Sequence, residues 1–335
     1  MEGMTMNKVQ RIDAGRPAEG DTTTFAGRRV VLVTGAPRSA TTPVGNVLSM
    51  APHSFAAYEP LGPTGLRDVA DRFPMTGPTD GPNEQDLSLI LARIAAFRGP
   101  LKPQTRPGAA ATLRSRVIGS RTLQSFRLGR LQPWVRNVIW KDPHAIMLVP
   151  DLVERGLPVI VTIRRPQAHA GSYKRLGWTS RAAEIHPRWT ARFGRDPVSE
   201  RWLDRASDPV VSGALIWRMS YLPLLREQVL DRVCIVTAPS LEADEMATYR
   251  MAFAHAGLDF TGKIARFLER RAEAAADASA DSSVVHDWNR SVASANSYWR
   301  ELLSGEDLEA IEDLTADLEG QLFPAQGGSA EEGRQ

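Results

Sequence analysis

The stretch Val30–Pro52, VVLVTGAPRSATTPVGNVLSMAP, decides the fold. Its first residues are a short, β-branched-rich apolar run, the signature of a strand buried on both faces. Gly35 and Ala36 allow a tight turn, and Thr42–Met50 then reads as a helix. Strand, turn and helix start make the layout of a phosphate-binding loop. The usual Gly-Lys-Ser/Thr ending is missing, and Arg38-Ser39-Ala40-Thr41-Thr42 stands in its place.

That loop suits an anion. The first amides of a helix have no partner within it and carry partial positive charge. Ser39, Thr41 and Thr42 add hydroxyl donors, and Arg38 adds a fixed cation. The usual loop lysine reaches a β/γ-phosphate beside magnesium. An arginine earlier in the loop fits a smaller phosphate held without metal. An ordinary strand-turn-helix with a surface arginine fits the same residues, so this loop alone leaves both readings open.

Three more runs read as buried parallel strands: Asn137–Trp140, Val159–Ile163 and Val233–Thr237. Helical segments at Ala145–Glu154, Gln167–Leu176 and Pro209–Leu230 alternate with them, the last with Asp208 as N-cap and Pro209 at its first position. Such alternation predicts an α/β fold, a parallel sheet covered on both faces, which binds ligands beyond the C-terminal strand ends. The last third reads as helical. Ser304-Gly-Glu-Asp307 is a capping-box pattern, and Leu308, Ile311, Leu314 and Leu318 are spaced for an amphipathic helix. The expected organisation is one domain over 29–323, with mobile tails at 1–28 and 324–335, a basic insertion or flap at 74–135 and a linker at 270–288.

Composition narrows the partners. A formal net charge of +2 argues against nucleic acid. The one cysteine, Cys234, lies in an apolar run, so no disulfide framework forms within the chain and a reducing cytoplasm is expected. No apolar run has signal-peptide character or reaches the length of a membrane span, which leaves peripheral membrane contact as the limit. From Leu87 to Lys141 there are eleven Lys or Arg and no Asp or Glu. A solvated basic surface and a flap over an anionic acceptor or donor both fit this bias. No sequence feature encodes the oligomeric state.

The second loop is VIVTIRRPQAHAGSYKRLGW, Val159–Trp178. Arg164 closes the strand and Ser172 follows eight residues later. A turn and two helical turns bring the helix face back toward the strand end, where an arginine and a hydroxyl clamp a second phosphate. An arginine at a helix start is common, so this loop too is ambiguous alone.

Together the two loops resemble those of the sulfotransferases that use 3′-phosphoadenosine 5′-phosphosulfate (PAPS). The resemblance rests on PRSATT at 37–42, IRRPQAHAGSY at 163–173, AAYEPLG at 56–62, IWKDPH at 139–144 and the closing WNRSVASANSYWRELLSGEDLEAIEDL. It implies a three-layer P-loop-like fold with a helical C-terminal part. Pro37, Arg38, Ser39, Ala40, Thr41 and Thr42 would hold the 5′-phosphosulfate, and Arg164 with Ser172 the 3′-phosphate. PAPS is then the donor substrate, no metal is required, and the acceptor carries a hydroxyl. Tyrosylprotein sulfotransferases place a catalytic glutamate twenty-one residues after the loop arginine, the position of Glu59, and a supporting lysine in "KDP", the position of Lys141. Glu59 is therefore the expected base, with His144 its rival and Lys141 and Arg38 stabilising the transferring group. Arg290 is a candidate to close over the donor phosphates. Tyr173, Trp178 and Trp217 are candidates to stack on adenine, with core packing as the competing role.

The pattern has departures. Ala40 replaces the loop glycine, Arg165 the aspartate of "RDP", and Gln167 its second arginine. VTAPSLEAD, 236–244, stands where the "RYEDL" element is expected. An ATP-dependent small-molecule kinase and a non-catalytic nucleotide-binding module are the alternatives.

Overall fold

The computed structural model describes residues 24–69, 72–77, 84–103, 119–277 and 297–323. The 104–118 segment of the basic stretch, Arg290 and the C-terminal tail lie outside the described residues.

The core is a six-stranded sheet. Its strands are β1 (Thr24–Phe25), β2 (Arg28–Thr34), β3 (Ser54–Tyr58), β4 (Asn137–Lys141), β5 (Val159–Ile163) and β6 (Cys234–Thr237). The order is β3-β4-β2-β5-β6, all parallel, and β1 turns back antiparallel on the start of β2. Residues 24–28, assigned to the tail from sequence, thus belong to the sheet. The Ser54–Tyr58 strand also went unread, because SFAAY is short and alanine-rich. Its pairing with β4, Ser54 opposite Asn137 through Tyr58 opposite Lys141, makes it a strand.

Alternation along the strands explains the layers. Val30, Leu32, Val138, Trp140, Val159 and Val161 point into one apolar cluster. Val31, Val33, Ile139, Ile160, Cys234 and Val236 point into the other. A strand with two buried faces needs helices on both. The second face is covered partly by α1 (Thr41–Leu48). The larger cluster takes in α2 (Glu84–Ala96) and α3 (Arg121–Arg130). Among its described residues the basic insertion or flap therefore contains two packed helices, with Leu87, Leu91, Ile94 and Phe126 buried.

A 3₁₀ turn, Pro143–Leu148, follows β4 and runs into α4 (Val149–Glu154), where the sequence suggested one helix. The carboxylate of Asp142 accepts the His144 amide at 3.0 Å and caps that turn. Next come α5 (Pro166–Leu176), α6 (Ala182–Phe193), α7 (Pro197–Glu200) and α8 (Pro209–Arg226). Asp208 caps α8 through the amides of Val210 and Val211, as expected. The chain closes with α9 (Ala238–Ala243), α10 (Glu245–Ala256), α11 (Gly262–Asp277), α12 (Trp299–Leu302) and α13 (Gly305–Leu322). The first part of the supposed 270–288 linker is thus helical, and 278–296 lies outside the described residues. Ser304 and Asp307 form the expected reciprocal capping box. Burial pushes the Cys234 thiol up to about 11, which suits a core residue. Among the described residues no helix is long and apolar enough to cross a membrane.

Candidate active site

Four strand ends make the site. Parallel register sets Val33 of β2 beside Lys141 of β4, and Lys141 beside Tyr58 of β3. The C-terminal ends of these strands, and of β5 next to β2, therefore carry the Gly35–Ala40 loop, Lys141, Glu59 and Arg164 together.

The first loop is held from beneath. A β-carbon on Gly35 would lie 2.2 Å from the Thr162 carbonyl oxygen, so only glycine lets the loop approach β5 this closely. Tyr221 of α8 accepts the Ala36 amide at 3.0 Å and donates to the Thr162 carbonyl at 2.8 Å. The Ser39 hydroxyl donates to the Ala36 carbonyl at 2.6 Å and lies 3.0 Å from the Thr162 hydroxyl. Ser39 is 1% exposed, so this hydroxyl braces the loop from inside. Arg38 and Ala40 take left-handed conformations, φ 77° and 72°. Ala40, the departure from the family pattern, therefore sits where glycine would be relaxed. Ala40 is the N-cap of α1 without a side-chain cap, so the Thr41 and Thr42 amides lie outside the helical ladder. Buried Thr41 begins that helix, and the Thr42 hydroxyl lies 3.5 Å from the Tyr58 hydroxyl.

His169 fixes the loop from the other side. Its Nε2 donates to the Pro37 carbonyl at 2.7 Å from a fully buried ring. Burial, above all, pushes its pKa down to about 3, against 6.5 unperturbed. The folded state holds this imidazole neutral, whereas the unfolded chain protonates it below about pH 6.5. Its contribution is complete above that pH and is lost as pH falls toward the folded value. Wild type should lose about 2 kcal/mol more between pH 7.5 and 5 than His169→Gln. Urea unfolding of both proteins at the two pH values measures this, and parallel losses would remove the buried neutral imidazole from the account.

The second loop meets the first. Arg38 Nε donates to the Ser172 hydroxyl at 3.2 Å. Arg164 and Arg175 lie over the Tyr298 ring, with guanidinium carbons 5.7 and 5.0 Å from its centroid. Burial, first, and neighbouring guanidiniums hold Arg38 and Arg164 below the ordinary arginine value, partly offset by Tyr298. Both remain cations at any working pH. The groups acting most strongly on them are tyrosines and other arginines rather than carboxylates. Arg175 Nε is buried with no hydrogen-bond partner among the described residues. Three guanidiniums and a hydroxyl thus converge around one ring, an arrangement that favours an anion.

Sequence reading missed Arg175 and Tyr298. Arg175 was legible in principle, standing three residues after Ser172 on the same helix face. Tyr298 was not, since it arrives from the far end of the chain. Arg165 and Gln167, the departures in the second loop, pair with Glu319 of α13 at 2.9 and 3.2 Å. They tie the C-terminal helix to α5. Of the aromatic candidates, Trp217 is core and donates to the Arg164 carbonyl at 2.8 Å, and Tyr173 is buried. Trp178 is 45% exposed, with the Arg38 guanidinium 5.8 Å from its ring centroid.

The remaining candidates form a second cluster. Lys141 Nζ donates to Glu59 Oε1 at 2.5 Å and lies 4.0 Å from the Tyr58 ring centroid. A β-carbon on Gly45 would lie 2.8 Å from Lys141 Cγ, so α1 presses directly on the lysine stem. The Lys141 side chain is 3% exposed and that of Glu59 27%, leaving the carboxylate the more accessible partner. Glu59 itself is left-handed, φ 46°, held by its amide donating to the Lys141 carbonyl at 2.8 Å. Burial raises the Tyr58 phenol, but Lys141 with Thr42 and Arg121 draws it below its ordinary value. His144 is engaged elsewhere. Its Nδ1 lies 3.2 Å from Asp142 Oδ1, and its ring stands 5.2 Å from that of Phe73. Compared with protein-family models, the chain matches none, and no curated protein matches it.

Proposed function

We propose that this protein transfers a sulfuryl group from PAPS to a hydroxyl of a small-molecule, carbohydrate or lipid-linked acceptor, on a single P-loop-like domain that begins at the β1 strand and runs to about residue 323. The observation that carries the reading is the meeting of Arg38, Arg164, Arg175 and Ser172, one loop away from the Lys141–Glu59 pair. A donor with two phosphate groups would use both the arginine cluster and the start of α1, which Arg38 joins. The arginine cluster would take the 3′-phosphate, with Trp178 available to the adenine. The α1 amides and Arg38 would take the 5′-phosphosulfate.

In this reading Glu59 accepts the proton of the acceptor hydroxyl. The acceptor oxygen attacks sulfur, and the bond from sulfur to the 5′-phosphate oxygen breaks. Its electron pair leaves with adenosine 3′,5′-bisphosphate. Lys141 and Arg38 offset charge on the sulfuryl and leaving oxygens. Alignment and electrostatics supply most of the rate, as in phosphoryl transfer, and the transfer needs no metal.

Calorimetric titration of adenosine 3′,5′-bisphosphate in the presence of a chelator tests the donor site. Wild type should bind, and Arg164→Ala should bind about 100-fold more weakly, the scale for removing one partner of a buried charged contact. Binding of ATP–magnesium in place of the bisphosphate would make the protein a kinase and end this reading.

A further inference from the structure

Among the described residues six large hydrophobic side chains are exposed, and three of them, Leu128, Leu131 and Trp134, fall within seven residues at the end of α3. Arg127, Arg130 and Arg136 are exposed among them. The opposite side of this segment is fixed: Phe126 and Val135 are buried, and the Phe126 ring lies 6.0 Å from that of Phe97. The outward residues are therefore presented by a packed helix end. None of the three guanidiniums forms an ion pair among the described residues. Arg127 and Arg130 complement the C-terminal end of the helix dipole, but that role does not call for an exposed Leu131 and Trp134.

We infer that the face formed by Arg127, Leu128, Arg130, Leu131, Trp134 and Arg136 docks the protein on an anionic lipid bilayer. Guanidiniums at the headgroups and Trp and Leu at the acyl boundary use both halves of the patch. A nucleic acid would leave the leucines without partners. A second copy apposed face to face would bring like charges together. The absence of any acid from Leu87 to Lys141 keeps the wider surroundings cationic.

The patch is also connected to the candidate site. Arg121, at the start of the same helix, donates to the Tyr58 hydroxyl at 3.1 Å, beside Lys141. From Arg121 to Arg127, the first residue of the patch, is about 9 Å of helix. If the transferase reading holds, docking turns the acceptor side of the site toward the bilayer, and the acceptor is the hydroxyl of a membrane amphiphile.

Cosedimentation with phosphatidylcholine vesicles, with and without phosphatidylglycerol, tests the docking without donor or acceptor. It therefore fails or succeeds independently of the transferase reading. Binding is expected only to the anionic vesicles and should weaken as salt shortens the Debye length to about 3 Å at 1 M. Each of Arg127→Ala, Arg130→Ala and Arg136→Ala should lower the partition coefficient about fivefold. The double change Leu131→Ser with Trp134→Ser should lower it at least tenfold, roughly the scale of two exposed apolar groups losing burial. Met251→Ser, exposed elsewhere, should bind as wild type does. No binding at low salt, or equal binding by all variants, overturns the inference. A dimer in sedimentation velocity that Leu131→Ser with Trp134→Ser dissolves, without vesicle binding, also overturns it and makes the face a self-interface.

Discussion

Glu59→Gln is expected to lower kcat on the order of 10³-fold while leaving affinity for adenosine 3′,5′-bisphosphate unchanged. The amide keeps the size and an acceptor oxygen for Lys141 but cannot take a proton. The proposed donor clamp is built from other residues, so binding and chemistry should separate. Glu59 is the more exposed member of its pair and is held left-handed by its own amide contact. Such an outlier, kept at a cost of roughly 1–3 kcal/mol, suits a carboxylate fixed for a task. The change also leaves the buried Lys141 ammonium without its carboxylate, so a urea unfolding curve must accompany the kinetics. His144→Asn should cost less than about tenfold, because that ring serves Asp142 and packs beside Phe73. The reverse pattern would transfer the base to His144. Wild-type rates in both variants would leave neither as the base.

The second large effect is on stability. Arg218 of α8 is 3% exposed and donates to Asp196 through Nε and Nη2, at 2.6 and 3.0 Å. It also donates to Asp317 of α13 at 2.6 and 3.0 Å, and to the Leu314 carbonyl at 3.0 Å. Asp196 meanwhile caps α7 through Ser199. Burial works against the ionised Asp196, but Arg218 and Ser199 outweigh it and hold the carboxyl below its usual range. Arg218→Met would leave that carboxylate buried without its cation. A loss of about 3–5 kcal/mol is expected, read from chemical denaturation. Arg218→Lys should fall between, since an ammonium keeps the charge without the fork. A loss below about 1 kcal/mol would show that the carboxylates find water instead.

Affinity for the proposed donor should fall alongside, because α8 supports both of the loops proposed to bind it. Trp217 holds the Arg164 carbonyl, and Tyr221 bridges Ala36 and Thr162. This dependence could not be read from the chain. Trp217 and Tyr221 look like ordinary core residues in an apolar helix, and which backbone groups they meet is set by packing across the sheet.

Short-range patterns were the legible part. The Val159–Ile163 strand, the Asp208 cap and the Ser304–Asp307 box stand where local composition put them, because each is decided by neighbours a few residues away. The residue types of the candidate site, Arg38, Glu59, Lys141, Arg164 and Ser172, were readable from motif and spacing for the same reason. Tertiary structure decided what each of them faces. Ser39 braces its own loop, and Glu59 is locked on Lys141. Arg175 and Tyr298 join a cluster that spacing alone did not assign. The β3 strand exists only through its partner β4. The sequence by itself determined a parallel α/β sheet with anion-suited loops, since local preference and periodicity are carried by adjacent residues. The direction of each charge, and the gathering of three arginines around Tyr298, depend on contacts between segments far apart in the chain, which no local pattern encodes.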